Sequence, residues 1–193
     1  MNAELPPIYV LTTQRSHERQ ARFSTAWPAM TFTWVYGPDW RDYPDSDSLA
    51  DLIAQTCENR LILIRKRHWR GQLCCLLGHQ RALRTAWHEH PDTPGVLIFE
   101  DDAIPTVSEG AALTTIASRI RDQPQHSWKF SGPPHSKDWA NTCCCYVTQS
   151  AAQQILRARK LLPVDALFWT VARPNVCKPY PVRQRGPSIT SQS

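Results

Sequence analysis

The sequence predicts an α/β fold, with a mixed, mainly parallel sheet and helices on both faces. Short apolar runs alternate with longer segments whose apolar residues recur at helical spacing. The run Val96-Leu97-Ile98-Phe99 comes after a Pro94-Gly95 turn and is apolar at every position, as a strand covered on both faces requires. It passes directly into Glu100-Asp101-Asp102. Carboxylates crowded at the end of a buried strand are costly unless a cation neutralises them. In open α/β sheets, ligands bind beyond the carboxyl ends of the strands. The triplet therefore suits a hard cation such as Mg²⁺ or Mn²⁺, together with a phosphate-bearing ligand. The same acids also suit a solvated turn, with Asp101 or Asp102 capping the next element of the chain.

Toward the amino terminus, Pro7-Ile8-Tyr9-Val10-Leu11-Thr12 reads as a first strand, and Ser16 as the N-cap of a helix running to Ala26. Phe32-Thr33-Trp34-Val35-Tyr36 is rich in aromatic and branched residues, a second strand ended by Gly37-Pro38. Residues 38–48 read as an irregular acidic loop and 48–58 as a short helix. Over 71–90, Leu73, Leu76, Leu77, Leu83 and Trp87 mark one buried helical face. Ser108 caps a further helix to Arg121, with strands beyond it at 128–130 and 143–147. Ser150 is the expected cap of a helix over 151–162 that Pro163 stops, with another short helix beginning at Val164.

The 193 residues suit one domain, with a core over 7–172 and a Pro-, Arg- and Ser-rich C-terminal segment over 173–193. A hydrophobic content of 41% with 20% charged residues describes an ordinary soluble protein rather than a disordered or membrane-spanning one. The first residues lack the pattern of a signal peptide, so a cytoplasmic setting is expected. The seven cysteines include Cys74-Cys75 and Cys143-Cys144-Cys145, with no CxxC spacing. Adjacent cysteines on a strand face opposite ways, so these read as small buried hydrophobes rather than joint ligands of one ion. The net charge of +5 is uneven, with Arg65-Lys66-Arg67-His68-Trp69-Arg70 its densest cluster. That cluster suits a solvated face, an anionic acceptor or an anionic membrane surface, and no nucleic-acid module accompanies it.

Several blocks, in order, resemble glycosyltransferase family 25, the lipopolysaccharide-type galactosyl- and glucosyltransferases. They are Ile8-Tyr9-Val10-Leu11-Thr12 with Arg15 and Arg19, Tyr36-Gly37, the segment Gly71-Gln72-Leu73-Cys74-Cys75-Leu76-Leu77-Gly78-His79, and Leu97 to Asp102. Tyr146-Val147, the stretch near Ala151, and Pro163-Val164-Asp165 complete the series. The chain departs from the family at Thr12 (asparagine there), Gln72 (glutamate), Cys74 (glycine) and Gly78 (serine). The resemblance implies a GT-A fold and a metal-dependent, inverting transfer of galactose or glucose from a UDP-sugar donor. It also implies a saccharide acceptor such as a lipopolysaccharide or other cell-surface glycan precursor, and the basic cluster over 65–70 suits a place at the inner face of the membrane or on a lipid-linked glycan.

In that frame the triplet is a DxD-type motif, with Glu100 and Asp102 holding Mn²⁺ or Mg²⁺ and Asp101 turned toward the ribose or into the loop. Asp165 is the candidate general base, and aspartate there suits a helix N-cap equally well. His79 has a catalytic and a hydrogen-bonded structural reading, and His135 ranks behind it. Thr12, Thr13, Arg15 and Gly37 come after strands and are candidate donor contacts, although turn and cap chemistry explains such residues as well. Arg183 and Arg185 suit the diphosphate with their guanidinium forks, or else belong to a disordered tail. Trp34 and Trp87 read as core residues, and Trp40, Trp139 and Trp169 suit sugar stacking or core packing. The competing expectation is a non-catalytic nucleotide-sugar or glycan-binding protein on the same fold. Phosphoryl transfer lacks the support of a P-loop or an HExxH motif.

Overall fold

A computed structural model describes residues 5–43, 69–132, 143–158 and 162–185, with Asp45, Asp47, Ser48 and Asp51. Most of the helix expected over 48–58, basic residues 65–68, His135, Trp139 and the tail from 186 lie outside the described residues. Among the described residues the main sheet has six strands in the order β2-β1-β3-β6-β5-β7. They are β1 (Ile8–Thr12), β2 (Thr33–Tyr36), β3 (Gly95–Glu100), β5 (Trp128–Lys129), β6 (Cys144–Thr148) and β7 (Asn175–Val176). β1 runs parallel to β2 and β3, and β7 runs parallel to β5. Only β6 is reversed, antiparallel to both of its neighbours. A separate two-stranded ribbon joins β4 (Ala103–Pro105) to β8 (Val182–Gln184).

Helices cover both faces of the sheet. α2 (Trp69–Glu89), α4 (Gln149–Leu156) and α5 (Val164–Ala172) pack with Tyr9, Leu11, Val96, Ile98, Cys145 and Val147 on one face. α1 (His17–Ala26) and α3 (Glu109–Asp122) pack with Ile8, Val10, Leu97, Phe99, Cys144 and Tyr146 on the other. Strict alternation along β1, β3 and β6 thus feeds two apolar layers, so all three strands are buried except at Glu100, where β3 ends. Burying each such side chain contributes roughly 1.5–3 kcal/mol. On the α1 side Phe23, Trp27 and Phe99 meet edge to face or tilted at 5.3–6.2 Å, and the Trp27 indole donates to the Ala103 carbonyl at 2.9 Å.

Local signals explain most boundaries. Ser108 caps α3 by accepting from the Ala111 N–H, as its position predicts. Thr148 caps α4, not Ser150, because the last residue of β6 already places its hydroxyl below the Ala151 N–H. That helix ends at Leu156, short of the expected Leu162. Residues 38–48 include a short 3-10 turn (Trp40–Asp42), pinned where Asp39 accepts from the Arg41 N–H and pairs with its guanidinium. The C-terminal segment supplies β7 and β8. Among the described residues no helix is long and apolar enough to cross a membrane.

Gly95 opens β3 against the ring of Tyr146, where a Cβ would lie only 2.4 Å from the ring carbon Cζ. Tyr146 is fully buried and its hydroxyl donates to the Pro124 carbonyl at 3.2 Å, so the ring has little room to give. Gly95→Ala is expected to cost about 1–3 kcal/mol as overpacking. Urea denaturation checks this, and an unchanged midpoint would show that the β3–β6 contact is loose.

Candidate functional site

Parallel β1, β2 and β3 bring their carboxyl ends to one edge, where a cleft opens against α2. Thr12, Thr13, Gly37, Asp39 and Trp40 line it from the strand ends, Gly71, Cys74, Cys75 and Gly78 from the helix, and Glu100 and Asp101 from its floor. Two glycines let the helix approach. The Gly37 N–H donates to the Thr12 carbonyl at 2.8 Å, and a Cβ on Gly37 would meet the Gly78 Cα at 3.3 Å. Gly78 is therefore the backbone partner of Gly37, and the close approach accounts for a glycine at position 37, whereas a Cβ on Gly78 would make only ordinary contact at 3.7 Å.

The acids at the floor have separate environments. β3 stops at Glu100, and Asp101-Asp102 form a turn into β4 rather than an extended continuation. Alternation along a strand consequently does not align Glu100 with Asp102. The Asp101 N–H donates to the Leu11 carbonyl at 3.0 Å, and the Asp102 carbonyl accepts from the Arg185 N–H at 2.9 Å. Arg19, in the first turn of α1, places one Nη2 at 2.5 Å from Asp101 Oδ1 and 2.8 Å from Asp102 Oδ2. Thr12 donates to Asp101 Oδ2 at 2.7 Å, and Gln184 to Asp102 Oδ2 at 2.9 Å. Asp101 thus turns inward to β1 and Arg19 rather than into the loop, and it keeps a place in the lining of the cleft, as the alternative expectation of a ribose contact requires.

Glu100 has no such cation at bonding distance among the described residues. Burial, then the charges of Asp102 and Asp165, pushes its carboxyl up to about 8, and Arg19 offsets this only in part. Burial also raises Asp101, to about 6, against the opposing pull of Arg19 and Thr12. Asp102 moves upward for the same first reason, resisted by Arg19 and Gln184. His79 is buried, with Nδ1 at 3.0 Å from the Cys75 carbonyl, and burial lowers its pKa. Its Nε2 lies 3.9 Å from Glu100 Oε1, and since His79 is held neutral this is not an ion pair.

The acids keep unused oxygens. Arg19 and Gln184 occupy only Oδ2 of Asp102, and among the described residues the buried Oδ1 has no hydrogen-bond partner. One guanidinium also leaves the triplet with surplus negative charge. Glu100 and Asp102 Oδ1 are therefore oxygen donors suited to Mn²⁺ or Mg²⁺. A second donor set lies beside them, where ligand atoms of Cys75, His79 and Glu100 fall within 4.8 Å of one another.

The other expected residues divide. Asp165 lies in the first turn of α5, where Pro163 holds the cap position, and its charge acts on Glu100, Cys75 and His79. The N-cap reading of Asp165 is thus replaced by a place beside the acids. Thr13 lines the cleft while sharing a hydrogen bond with Ser16 at 2.8 Å. Arg15 is exposed and pairs with Asp42 at 2.5 Å, tying the loop after β1 to the 3-10 turn. Arg183 and Arg185 are exposed on and just after β8, and the intervening Gln184 is the residue that reaches Asp102. Strand alternation accounts for this division, since Gln184 and its two neighbours face opposite ways. Trp40 lines the cleft and also packs against the α2-side apolar layer, as Trp87 does, and Trp34 packs against the layer on the other face. Sequence reasoning missed Gln184 outright and placed Arg19 in a family block without its acidic partners.

No family model matches the chain, and no curated protein matches it. Among solved structures, the chain is similar to a glycosyltransferase involved in the glycosylation of the major capsid of PBCV-1, at 12% identity and a TM-score of 0.41. The alignment covers 78% of this chain and 64% of that one, so the chain spans less than two thirds of the structure it matches.

Two consequences of the buried charges are measurable. Arg19→Met leaves Asp101 and Asp102 buried without their cation and should cost about 2–4 kcal/mol at pH 7. The loss should shrink in acid, where the carboxylates take up protons; a loss independent of pH in denaturant titrations would dismiss the charge explanation. For Glu100, the folded protein keeps a proton up to a pH of about 8 that an ordinary carboxyl releases near 4.5. Stability must then fall as pH rises through that interval. Glu100→Gln should remove this slope and raise stability at pH 8 by about 1–3 kcal/mol, as tracked by Tm against pH.

Proposed function

We propose that the protein is a metal-dependent hexosyltransferase on a GT-A-like fold, of the kind that the family 25 resemblance implies. It moves galactose or glucose from a UDP-sugar to a saccharide acceptor, such as a lipopolysaccharide or other cell-surface glycan precursor, with inversion. The observation that carries this reading is the pair of oxygen donors left by Arg19, Glu100 and Asp102 Oδ1, at the carboxyl edge of the sheet. Mn²⁺ or Mg²⁺ held there would neutralise charge on a departing diphosphate and orient it.

The chain's own residues would do the rest. Thr12, Thr13 and the backbone at Gly37 line the cleft where the nucleotide is bound. Arg183 and Arg185 bring positive charge to the neighbouring ribbon. Asp165, whose charge is felt at Glu100, accepts the proton of the acceptor hydroxyl. The acceptor oxygen bonds to the anomeric carbon as the bond from that carbon to the diphosphate oxygen breaks, releasing UDP. A cytoplasmic setting, with contact to an anionic membrane or lipid-linked glycan, belongs to the same reading.

One observation favours a second reading. Arg19 already bonds both Asp101 and Asp102, as suits a non-catalytic nucleotide-sugar or glycan-binding protein. UDP release from UDP-galactose and UDP-glucose, with Mn²⁺ and with a chelator, separates the two. The transferase reading expects metal-dependent release that falls at least about 100-fold in a folded Asp102→Asn variant. Metal-dependent UDP binding by calorimetry without turnover would favour the binding protein. Absence of metal-dependent UDP binding would end the metal assignment.

A further inference from the structure

We propose that Cys75, His79 and Glu100 form a site for a borderline transition-metal ion, Zn²⁺ above all, distinct in chemistry from the all-oxygen pair Glu100 and Asp102. Cys75 and His79 are four residues apart on α2 and share one face of the helix. Glu100 meets them from the end of β3, with Oε1 at 3.6 Å from Cys75 Sγ and 3.9 Å from His79 Nε2. Tetrahedral zinc, with bonds of about 2.0–2.3 Å, holds its ligand atoms about 3.3–3.8 Å apart. The ligand atoms of the three residues lie within 4.8 Å of one another, and Cys75 Sγ is 3.7 Å from His79 Nδ1, so closing on one ion through Nε2 takes a turn of the thiol or the imidazole.

The tautomer of His79 supports the site independently. A carbonyl oxygen only accepts, so the 3.0 Å contact with the Cys75 carbonyl puts the proton on Nδ1. Nε2 then carries its lone pair toward Glu100, buried and without a hydrogen-bond partner among the described residues. A ligating histidine characteristically donates its other N–H in this way, to a backbone carbonyl or carboxylate. Cys75 and Glu100 both line the cleft, which gives an ion an entry path and leaves the fourth position to water or a bound ligand. Thiolate and imidazole select zinc-like ions over Mn²⁺ and Mg²⁺. Burial keeps the Cys75 thiol and the Glu100 carboxyl protonated, so binding must release both protons.

Glu100 is common to this site and to the donor site proposed above, so the two ions compete for it. Zinc binding is measured without donor or acceptor and stands or falls apart from sugar transfer. Chelator-treated protein titrated with Zn²⁺ should bind one ion at this site, and Co²⁺ in its place should give a thiolate-to-cobalt charge-transfer band. Cys75→Ser should abolish the band, and His79→Gln should weaken affinity by at least about tenfold. Asp102→Asn should leave the band in place. No band in the native protein, a band that survives Cys75→Ser, or one lost with a folded Asp102→Asn variant would each overturn the proposal. If Cys75→Ser fails to fold, X-ray absorption on the native zinc-loaded protein decides: one sulfur in the coordination shell supports the site, and none or several overturns it.

Discussion

Arg19 reaches from the first turn of α1 to Asp101 and Asp102, and the carboxyl edge of the sheet is organised around that contact. A central strand ending in acids within the protein requires positive charge close by. Here the chain supplies part of it. Thr12 of β1 holds the far oxygen of Asp101, and Gln184 of β8 shares the bonded oxygen of Asp102. One guanidinium thereby links a helix, a strand end, a turn and the C-terminal ribbon. Buried ion pairs of this kind add little net stability, but removing one partner is costly. The contact therefore acts chiefly as a constraint on arrangement.

That constraint divides the triplet by role. Asp101 has Thr12 and Arg19 as partners, and Asp102 has Arg19 and Gln184 on one oxygen only. Glu100 meets α2 instead, and burial with neighbouring negative charge lifts its pKa. Three consecutive acids thus present a structural carboxylate, a half-used one and a largely protonated one. Glu100 lines the cleft, and an added cation would relieve both it and the unused oxygen of Asp102. The close approach of Gly37 and Gly78 brings α2 near enough for Cys75 and His79 to share that environment. A side chain at Gly37 would act on the site through helix position rather than through lost side-chain chemistry.

Much of the architecture was legible because it rests on local periodicity. Val96 to Phe99 announced a doubly covered strand, and the spacing of Leu73, Leu76, Leu77 and Leu83 announced the face of α2. Ser108 was legible as a cap for the same reason. The misses came where a residue's role depends on distant partners. Thr148 displaced Ser150 because the end of β6 fixed which hydroxyl stood below the helix. The ribbon of β4 and β8 pairs Ala103 with Gln184 across most of the C-terminal half, and its three-residue strands carry no periodic signal. Buried cysteines were expected, and Cys75 departs from the pattern because its helix faces the cleft.

By itself the sequence determined that acids would crowd the carboxyl end of a buried strand and that charge neutralisation would govern them. It also fixed the alternation that puts helices on both faces of the sheet. Only the tertiary structure decided which cation stands beside which acid. Arg19 is 82 residues from Asp101 and Gln184 is 82 from Asp102, and nothing local to either position sets those distances. Composition gives the charges to be balanced. Packing, which brings remote segments to one edge, decides which oxygen is satisfied and which is left for chemistry.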